Sequence, residues 1–344
     1  MFDSIIEKYF GGLGVKLCKS FTRYASATIS SCSFSTHEIS RHLSKETGKD
    51  FNTSEKGLNY LLSNKNFQID DHYWRMHMKL IFDLLLEQKL IKKGEKIYIQ
   101  VDHTSNKDNF LIQCASIIAH NRAIPIYFTM RNYPKRKNSL NQKKMELAFL
   151  KGLKHCLSKQ YQYVIVADRG FGTSRFIENC EDNGFEYLIR IKSNMNVKIN
   201  EEVGSIENKL ESNGIYDVKV PCWDKNYTII KCGNESKSWY LVSNINDLSL
   251  ERAEHIYKNR FKIEKCFQDM KSSGFNMEKS KIRKYDRYKR LLSICMLAHC
   301  LLVLLGHFIV VKLPNFLKNS ALMANAILAY FQLENRHISY FQSK

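Results

Sequence analysis

Ile97-Tyr98-Ile99-Gln100-Val101-Asp102 opens a run in which the periodicity of the chain changes, and that run sets the fold class. IYIQVD (97–102), FLIQCASIIA (110–119) and IPIYFTM (124–130) are rich in β-branched and aromatic residues and lie close together, as in an antiparallel meander. Helix-compatible sequence from Leu140 to Leu157 leads to YVIVAD (163–168), and a further helix, Ser174 to Asn183, leads to YLIRI (187–191). Three strands, helix, strand, helix, strand is the order of an α/β protein with a mixed sheet. Two strands are expected to end in carboxylates, Asp102 and Asp168, at the strand C-termini where open α/β sheets place their sites.

Upstream, the first ~95 residues read as helical. Ser35-Thr36-His37-Glu38 has capping-box spacing for a helix through Leu43. Thr53 or Ser54 is expected to cap a second helix carrying Leu58, Leu61 and Leu62, and Tyr73 to Gln88 a third. Two short helices joined by a Gly-containing turn fit a helix-turn-helix-like DNA reader or an ordinary helical subdomain equally well. Downstream, residues ~193–248 are polar, with short alternating runs such as YDVKV (216–220), YTIIK (227–231) and WYLVS (239–243), which reads as a β-rich insertion.

From Glu251 the chain returns to helix and carries IYKNRFKIEKCFQDMK (256–271). On a straight helix Tyr257, Arg260, Glu264 and Lys271 share an arc of roughly 60°. Ile256, Ile263, Phe267 and Met270 occupy a neighbouring arc suited to a core. A carboxylate flanked by arginine, lysine and phenol suits a surface that holds a metal ion against a phosphodiester; helix-spaced ion pairs on a solvated face are the plainer alternative.

The balance of 53 Lys+Arg against 34 Asp+Glu gives a net charge of +19, spread along the chain in runs such as Lys135-Arg136-Lys137, Lys143-Lys144 and Lys281 to Arg290. Charge distributed over a folded protein points to a long polyanion more than to a small acidic substrate. The ten cysteines include no CxxC pair, so neither a zinc site nor a disulfide framework is indicated, and buried thiols in a reducing cytoplasm are expected. MFDSIIEKYF lacks the layout of a secretory signal. Leu291 to Val311 is long and apolar enough for a membrane span, but His299, His307, Ser293 and Gly306 interrupt it, and a helix buried against a sheet is the expected reading. No Gly-rich phosphate loop occurs, which removes support for nucleotide hydrolysis. His155 and Cys156 read as packing, His103 as a turn residue beside the site, and Asp108 as a weaker candidate than Asp102 because no strand precedes it.

Asp102, Asp168 and Glu264 thus form a candidate set of oxygen ligands, the donors that Mg²⁺ prefers. In this order, with the Tyr-Arg-Glu-Lys spacing of Tyr257, Arg260, Glu264 and Lys271, the chain resembles the DDE-type transposases of bacterial insertion sequences. VDHT after the first strand, ADRGF at the second Asp, YLIRIKSN and WYLVSN also match, while Phe261 departs from a tryptophan common in relatives.

The resemblance runs from about Ile97 to Val311. It implies an RNase H-like core, residues 96–192 and 249–312, interrupted by a β-rich insertion at 193–248. A helical DNA-binding domain at 1–95 and a helical segment at 313–344, containing the amphipathic LMANAILAYF, would flank it. It further implies cut-and-paste transposition on double-stranded DNA, both transposon ends and target. Water frees a 3′ hydroxyl, which in related enzymes forms and reopens a hairpin before joining the target. Two Mg²⁺ ions, replaceable by Mn²⁺, would be held by Asp102, Asp168 and Glu264. Tyr257, Arg260 and Lys271 would grip terminal phosphates; Arg190, assisted by Lys192, would contact DNA unless it is a plain exposed strand-end cation; and Trp239 would stack on a flipped base or, equally well, pack as a buried strand residue. Synapsis implies at least a homodimer on DNA, and the expected location is the bacterial cytoplasm at the nucleoid, with no membrane contact. A catalytically retired DNA-binding protein on the same scaffold and a nuclease without strand transfer are the alternatives.

Overall fold

The computed structural model describes residues 2–106, 109–133, 139–234 and 237–312. Asp108, the run Lys135-Arg136-Lys137 and the segment 313–344 lie outside the described residues.

Five helices come first: α1 (Phe2–Phe10), α2 (Val15–Ser31), α3 (Thr36–Thr47), α4 (Phe51–Ser63) and α5 (Asp71–Glu87). Ser35 caps α3 as its spacing predicts, its hydroxyl accepting from the Glu38 N–H at 3.4 Å. Gly48 ends that helix in the left-handed conformation, φ 67°, which a residue without Cβ adopts freely. The second cap is not Thr53 or Ser54. Asp50 fills that place, accepting from the Thr53 N–H at 3.0 Å, because a carboxylate opposite a helix N-terminus satisfies both its free N–H groups and its dipole. Asp70 does the same for α5.

The sheet follows. Strands β1 (Lys96–Asn106), β2 (Phe110–Ala119) and β3 (Arg122–Asn132) form the antiparallel meander. Helix α6 (Ser139–Cys156) leads to β4 (Gln162–Ala167), and α7 (Ser174–Asp182) leads to β5 (Glu186–Ile191). β4 pairs parallel with both β1 and β5. The β-rich stretch supplies β6 (Asn196–Ile199), β7 (Glu202–Ser205), the short α8 (Ile206–Lys209), β8 (Gly214–Val220), β9 (Lys225–Asn234) and β10 (Lys237–Ser243). Because β10 pairs antiparallel with β5, these strands prolong the sheet to ten among the described residues, in the order β3-β2-β1-β4-β5-β10-β9-β8-β6-β7. The first half, β3-β2-β1-β4-β5 with helices on both faces, is the expected RNase H-like mixed sheet.

Tyr163 to Ala167 of β4 are apolar at every position, as a strand covered on both faces requires. In β4, Tyr163, Ile165 and Ala167 join one apolar cluster while Val164 and Val166 join the other, on the opposite face. Helix α9 (Leu250–Arg260) packs on that second face through Ala253, Ile256 and Tyr257. Helix α10 (Lys262–Gln268) follows at once and lies across β1 and β3. Helix α11 (Tyr285–Lys312) is the apolar run, and 94% of its most apolar window is buried inside the protein, against α2, α4, α5 and β3. It is held there by polar ties as well: the Tyr73 hydroxyl donates to the Ser293 carbonyl at 3.2 Å, and Arg290 donates to the Leu62 carbonyl at 2.9 Å.

Candidate active site

The position of Asp102 follows from strand register. Val101 pairs with Ala167 across parallel strands, so the next two positions, Asp102 and Asp168, stand side by side at a strand spacing of about 4.8 Å. Alternation puts Asp102 on the face of Tyr98 and Gln100, and Asp168 on the matching face of Val164 and Val166, where α9 lies. Asp168 directly follows β4, as expected. Asp102 does not end its strand: β1 runs on to Asn106, paired with β2 alone. The carboxylate sits where β4 stops, so its edge is open although its strand continues.

The signature segment departs from the straight helix that the 100° periodicity assumes. α9 stops at Arg260 and α10 starts at Lys262, with the Phe261 N–H bonded three residues back to the Lys258 carbonyl at 3.4 Å. A π-helical turn, Asp269–Ser273, then shifts Lys271 out of phase. The stripe therefore loses Lys271, while Tyr257, Arg260 and Glu264 remain neighbours: Arg260 reaches Glu264 one turn on at 2.7 Å and lies 5.6 Å from the Tyr257 ring. The break has a packing cause: Phe261 lies 6.0 Å from Trp239 and 6.1 Å from Tyr257, centroid to centroid, and Trp239 lies 5.1 Å from Tyr257.

Arg260 joins the acids. Its guanidinium reaches Asp102 Oδ2 at 3.4 Å and Glu264 Oε1 at 2.7 Å, and its side chain is 4% exposed. It also lies 4.3 Å from the centroid of Phe261 and 5.6 Å from that of Tyr257, over both rings. Burial works against its charge, but Tyr257, Glu264 and Asp102 outweigh burial and leave it more firmly protonated than usual. Asp102 moves oppositely. Burial raises its carboxyl to about 6, Asp168 and Glu264 add to the rise, and the His103 N–H (2.7 Å to Oδ1) and Arg260 oppose it. Three carboxylates share one local field with one internal guanidinium.

The remaining expected residues fall as follows. Tyr257 is fully buried; burial raises its pKa, Asp168 adds to that, and Arg260 and Arg190 oppose it. Arg190 on β5, half-buried, is thus brought to the site. Lys192 is exposed in the turn after β5, and Lys271 is half-buried; among the described residues neither forms an ion pair with the acids. Trp239 is 6% exposed and closed in by Tyr257 and Phe261, so it presents packing rather than a free ring face. His103 is no turn residue: it lies within β1, stacked on Phe171 at 4.7 Å, and burial lowers its pKa to about 4.

One contributor escaped the sequence reading. Gly172 lies so close to β5 that a Cβ there would stand 2.5 Å from the Arg190 carbonyl oxygen. It closes the turn that carries Asp168, in which Gly170 donates its N–H to Asp168 Oδ1 at 2.9 Å. The repeated glycine in ADRGFG was the available signal.

The acids supply hard oxygen donors, which fits divalent-cation chemistry. Among the described residues no three His, Cys, Asp or Glu side chains stand ready around one point. Arg260 stands between two of the acids, Asp102 and Glu264.

A family described as "Transposase DDE domain" matches residues 117–301, more than half of the chain. Asp168 and Glu264 fall inside that span, and Asp102 lies ahead of it. A search of the curated proteins found no match. Among solved structures, a piggyBac transposase synaptic complex with hairpin DNA is 13% identical, with a TM-score of 0.48 over 96% of this chain and 77% of that one. Endonuclease V from Bacillus subtilis is 12% identical, with a TM-score of 0.29 over 54% of this chain and 81% of that one. Ciona intestinalis endonuclease V, bound to a 24mer DNA containing inosine followed by a ribo-adenosine, is 16% identical, with a TM-score of 0.26 over 53% and 87%. At such identities and superpositions these three likenesses carry nothing below.

Proposed function

The chain belongs to the transposase DDE-domain family, and from that premise we propose that it cleaves DNA at the ends of an insertion sequence and joins the freed 3′ ends to target DNA. The observation that carries this reading is Arg260, which ties Glu264 of the signature segment to Asp102 of the central strand. Such an assembly is what phosphoryl transfer requires: acids gathered at a sheet edge, with cations close by.

Each residue then has a task. Asp102, Asp168 and Glu264 would hold divalent ions, Mg²⁺ by donor hardness with Mn²⁺ able to replace it, which supply nucleophile activation and phosphate charge neutralisation. Arg190 and Lys192, at the end of β5 beside the Asp168 turn, contact the DNA backbone on that flank. Lys271 contacts it beyond α10, as a point charge. Tyr257 sets the wall against which Arg260 lies, in keeping with the Tyr-Arg-Glu-Lys subgroup. Residues 1–95 read the transposon ends and 193–248 widen the sheet within the catalytic core. Two copies act together on paired ends.

Two measurements test this. Purified protein incubated with DNA bearing the inverted repeats that flank its gene should release 3′-hydroxyl ends in Mg²⁺. EDTA should stop the reaction and Mn²⁺ restore it; cutting that persists in EDTA would refute the assignment. Binding to the same DNA should weaken steeply with salt, log K falling by about 0.9 per neutralised phosphate for each unit of log salt. A flat response would contradict a phosphate-gripping surface.

A further inference from the structure

Both oxygens of Asp102 are occupied within the protein, Oδ1 by the His103 N–H at 2.7 Å and Oδ2 by Arg260 at 3.4 Å. Glu264 is 52% exposed, yet its Oε1 is turned back to Arg260 at 2.7 Å. One guanidinium thus spans the strand acid and the helix acid, using separate nitrogens, Nη1 and Nη2. The fork geometry matters: a planar cation with two terminal nitrogens bridges two carboxylates that an ammonium, as a point charge, does not. The bridge also has a backstop, since Phe261 and Tyr257 support the guanidinium from the ring side.

We propose that Arg260 is an internal counterion, standing between Asp102 and Glu264 in the metal-free protein, and that its bridge and the divalent ion exclude each other. The inference rests on the metal-binding reading of the three acids and goes beyond it by assigning an order of events. An ion taken up by Asp102 and Glu264 competes with Arg260 for the same oxygens, and two positive centres in one acid cluster repel. Release of the bridge leaves the guanidinium on its aromatic support at the edge of the site, with both terminal nitrogens open to a DNA phosphate. Metal uptake therefore precedes the arginine grip on DNA. Arg260 acts as a positioning residue before the ion arrives and as a phosphate contact only afterwards. The site is thereby kept from presenting three unneutralised acids to the DNA it must approach.

The test is Mn²⁺ binding to the full chain, without DNA, by calorimetry. Arg260→Gln should bind Mn²⁺ about tenfold more tightly than the wild type, equal to about 1.4 kcal/mol, because the competitor is gone. Arg260→Lys should fall between them. Equal or weaker binding by a folded Arg260→Gln protein overturns the proposal, since a merely structural arginine would lower affinity when lost. A second measurement uses the wild type alone, in case the variant does not fold. Phenylglyoxal labelling of Arg260, read by mass spectrometry, should accelerate severalfold when Mn²⁺ is added, while exposed Arg252 serves as the unchanged reference. Unchanged or slower labelling of Arg260 on metal binding overturns the proposal and leaves the metal reading standing. Failure of the wild type to bind Mn²⁺ at all removes the metal reading, and this inference with it.

Discussion

Asp102→Asn and Glu264→Gln should each lower DNA cleavage by about 10³-fold or more, yet shift the stability of the metal-free protein differently. The shared loss follows from removing an acid whose role is made in the transition state, worth several kcal/mol at 1.36 kcal/mol per decade. The divergence follows from their surroundings. Asp102 has a folded pKa of about 6 against 3.8 in a free chain, raised first by burial. A carboxyl whose folded pKa is raised contributes stability that is full below pH ~4 and is lost as pH rises through about 6. Two units correspond to a penalty on the order of 2–3 kcal/mol at pH 7–8.

Asparagine keeps the shape and removes the charge, so Asp102→Asn should melt a few degrees higher than the wild type at pH 8 and nearly level with it at pH 4. Glu264 is half-exposed, and its ion pair with Arg260 is spaced i,i+4, so Glu264→Gln should change stability by only a few tenths of a kcal/mol. Melting curves at both pH values, without metal, check both statements. A destabilised Asp102→Asn protein at pH 8 would show that Arg260 more than offsets the burial of that charge. Retained cleavage in either variant would remove that residue from the site.

Gly172→Val should cost both stability and activity, although residue 172 bears no chemistry. A Cβ at this position meets the Arg190 carbonyl oxygen at 2.5 Å and the Ile191 Cα at 3.1 Å, backbone atoms of β5 that cannot turn aside as a flexible side chain can. The turn must lift off the strand instead. Overpacking of this kind costs about 1–3 kcal/mol. The turn carries Asp168 at its start, so the displacement reaches the acid, where a shift of ~1 Å costs about 10²-fold in rate. Gly172→Val should therefore cleave at about a hundredth of the wild-type rate while binding DNA at the same salt slope. Wild-type rate and melting temperature together would show that β5 yields, and that the close approach of turn and strand is not needed. Gly170→Ala is the milder comparison, since the nearest atoms its Cβ would meet belong to the Asp168 side chain, at 3.1 Å.

Much of this was legible in the chain because it is written in local terms. Alternation and apolar runs located β1 to β5, and the strand–helix order gave the mixed sheet, because the buried positions of these strands are mostly β-branched and aromatic. The Ser35 cap was readable for the same reason, a side chain acting on its own next turn. The N-terminus of α4 was not, because Asp50, Thr53 and Ser54 all carry capping side chains and residue type alone does not choose among them.

The signature segment shows where local reading stops. Spacing alone placed Tyr257, Arg260, Glu264 and Lys271 on one stripe; the first three stay neighbours, but a sequence carries no sign of the π-helical turn at Asp269–Ser273 that takes Lys271 out of phase. The Trp239–Tyr257–Phe261 cluster buries Tyr257 and the face of Trp239, for which the resemblance implied contact with DNA and packing was the equal alternative for Trp239.

The sequence by itself determined β1 to β5 and β8 to β10 and named two strand acids and a helix acid as candidates, because residue type and spacing along one chain are enough for that; β6 and β7 it did not show. Only the tertiary structure decided that Arg260 faces inward between two of those acids, and that Gly172 braces the third against β5. Those contacts join residues far apart in the chain, and their geometry depends on strand register and on which side chains the core takes in.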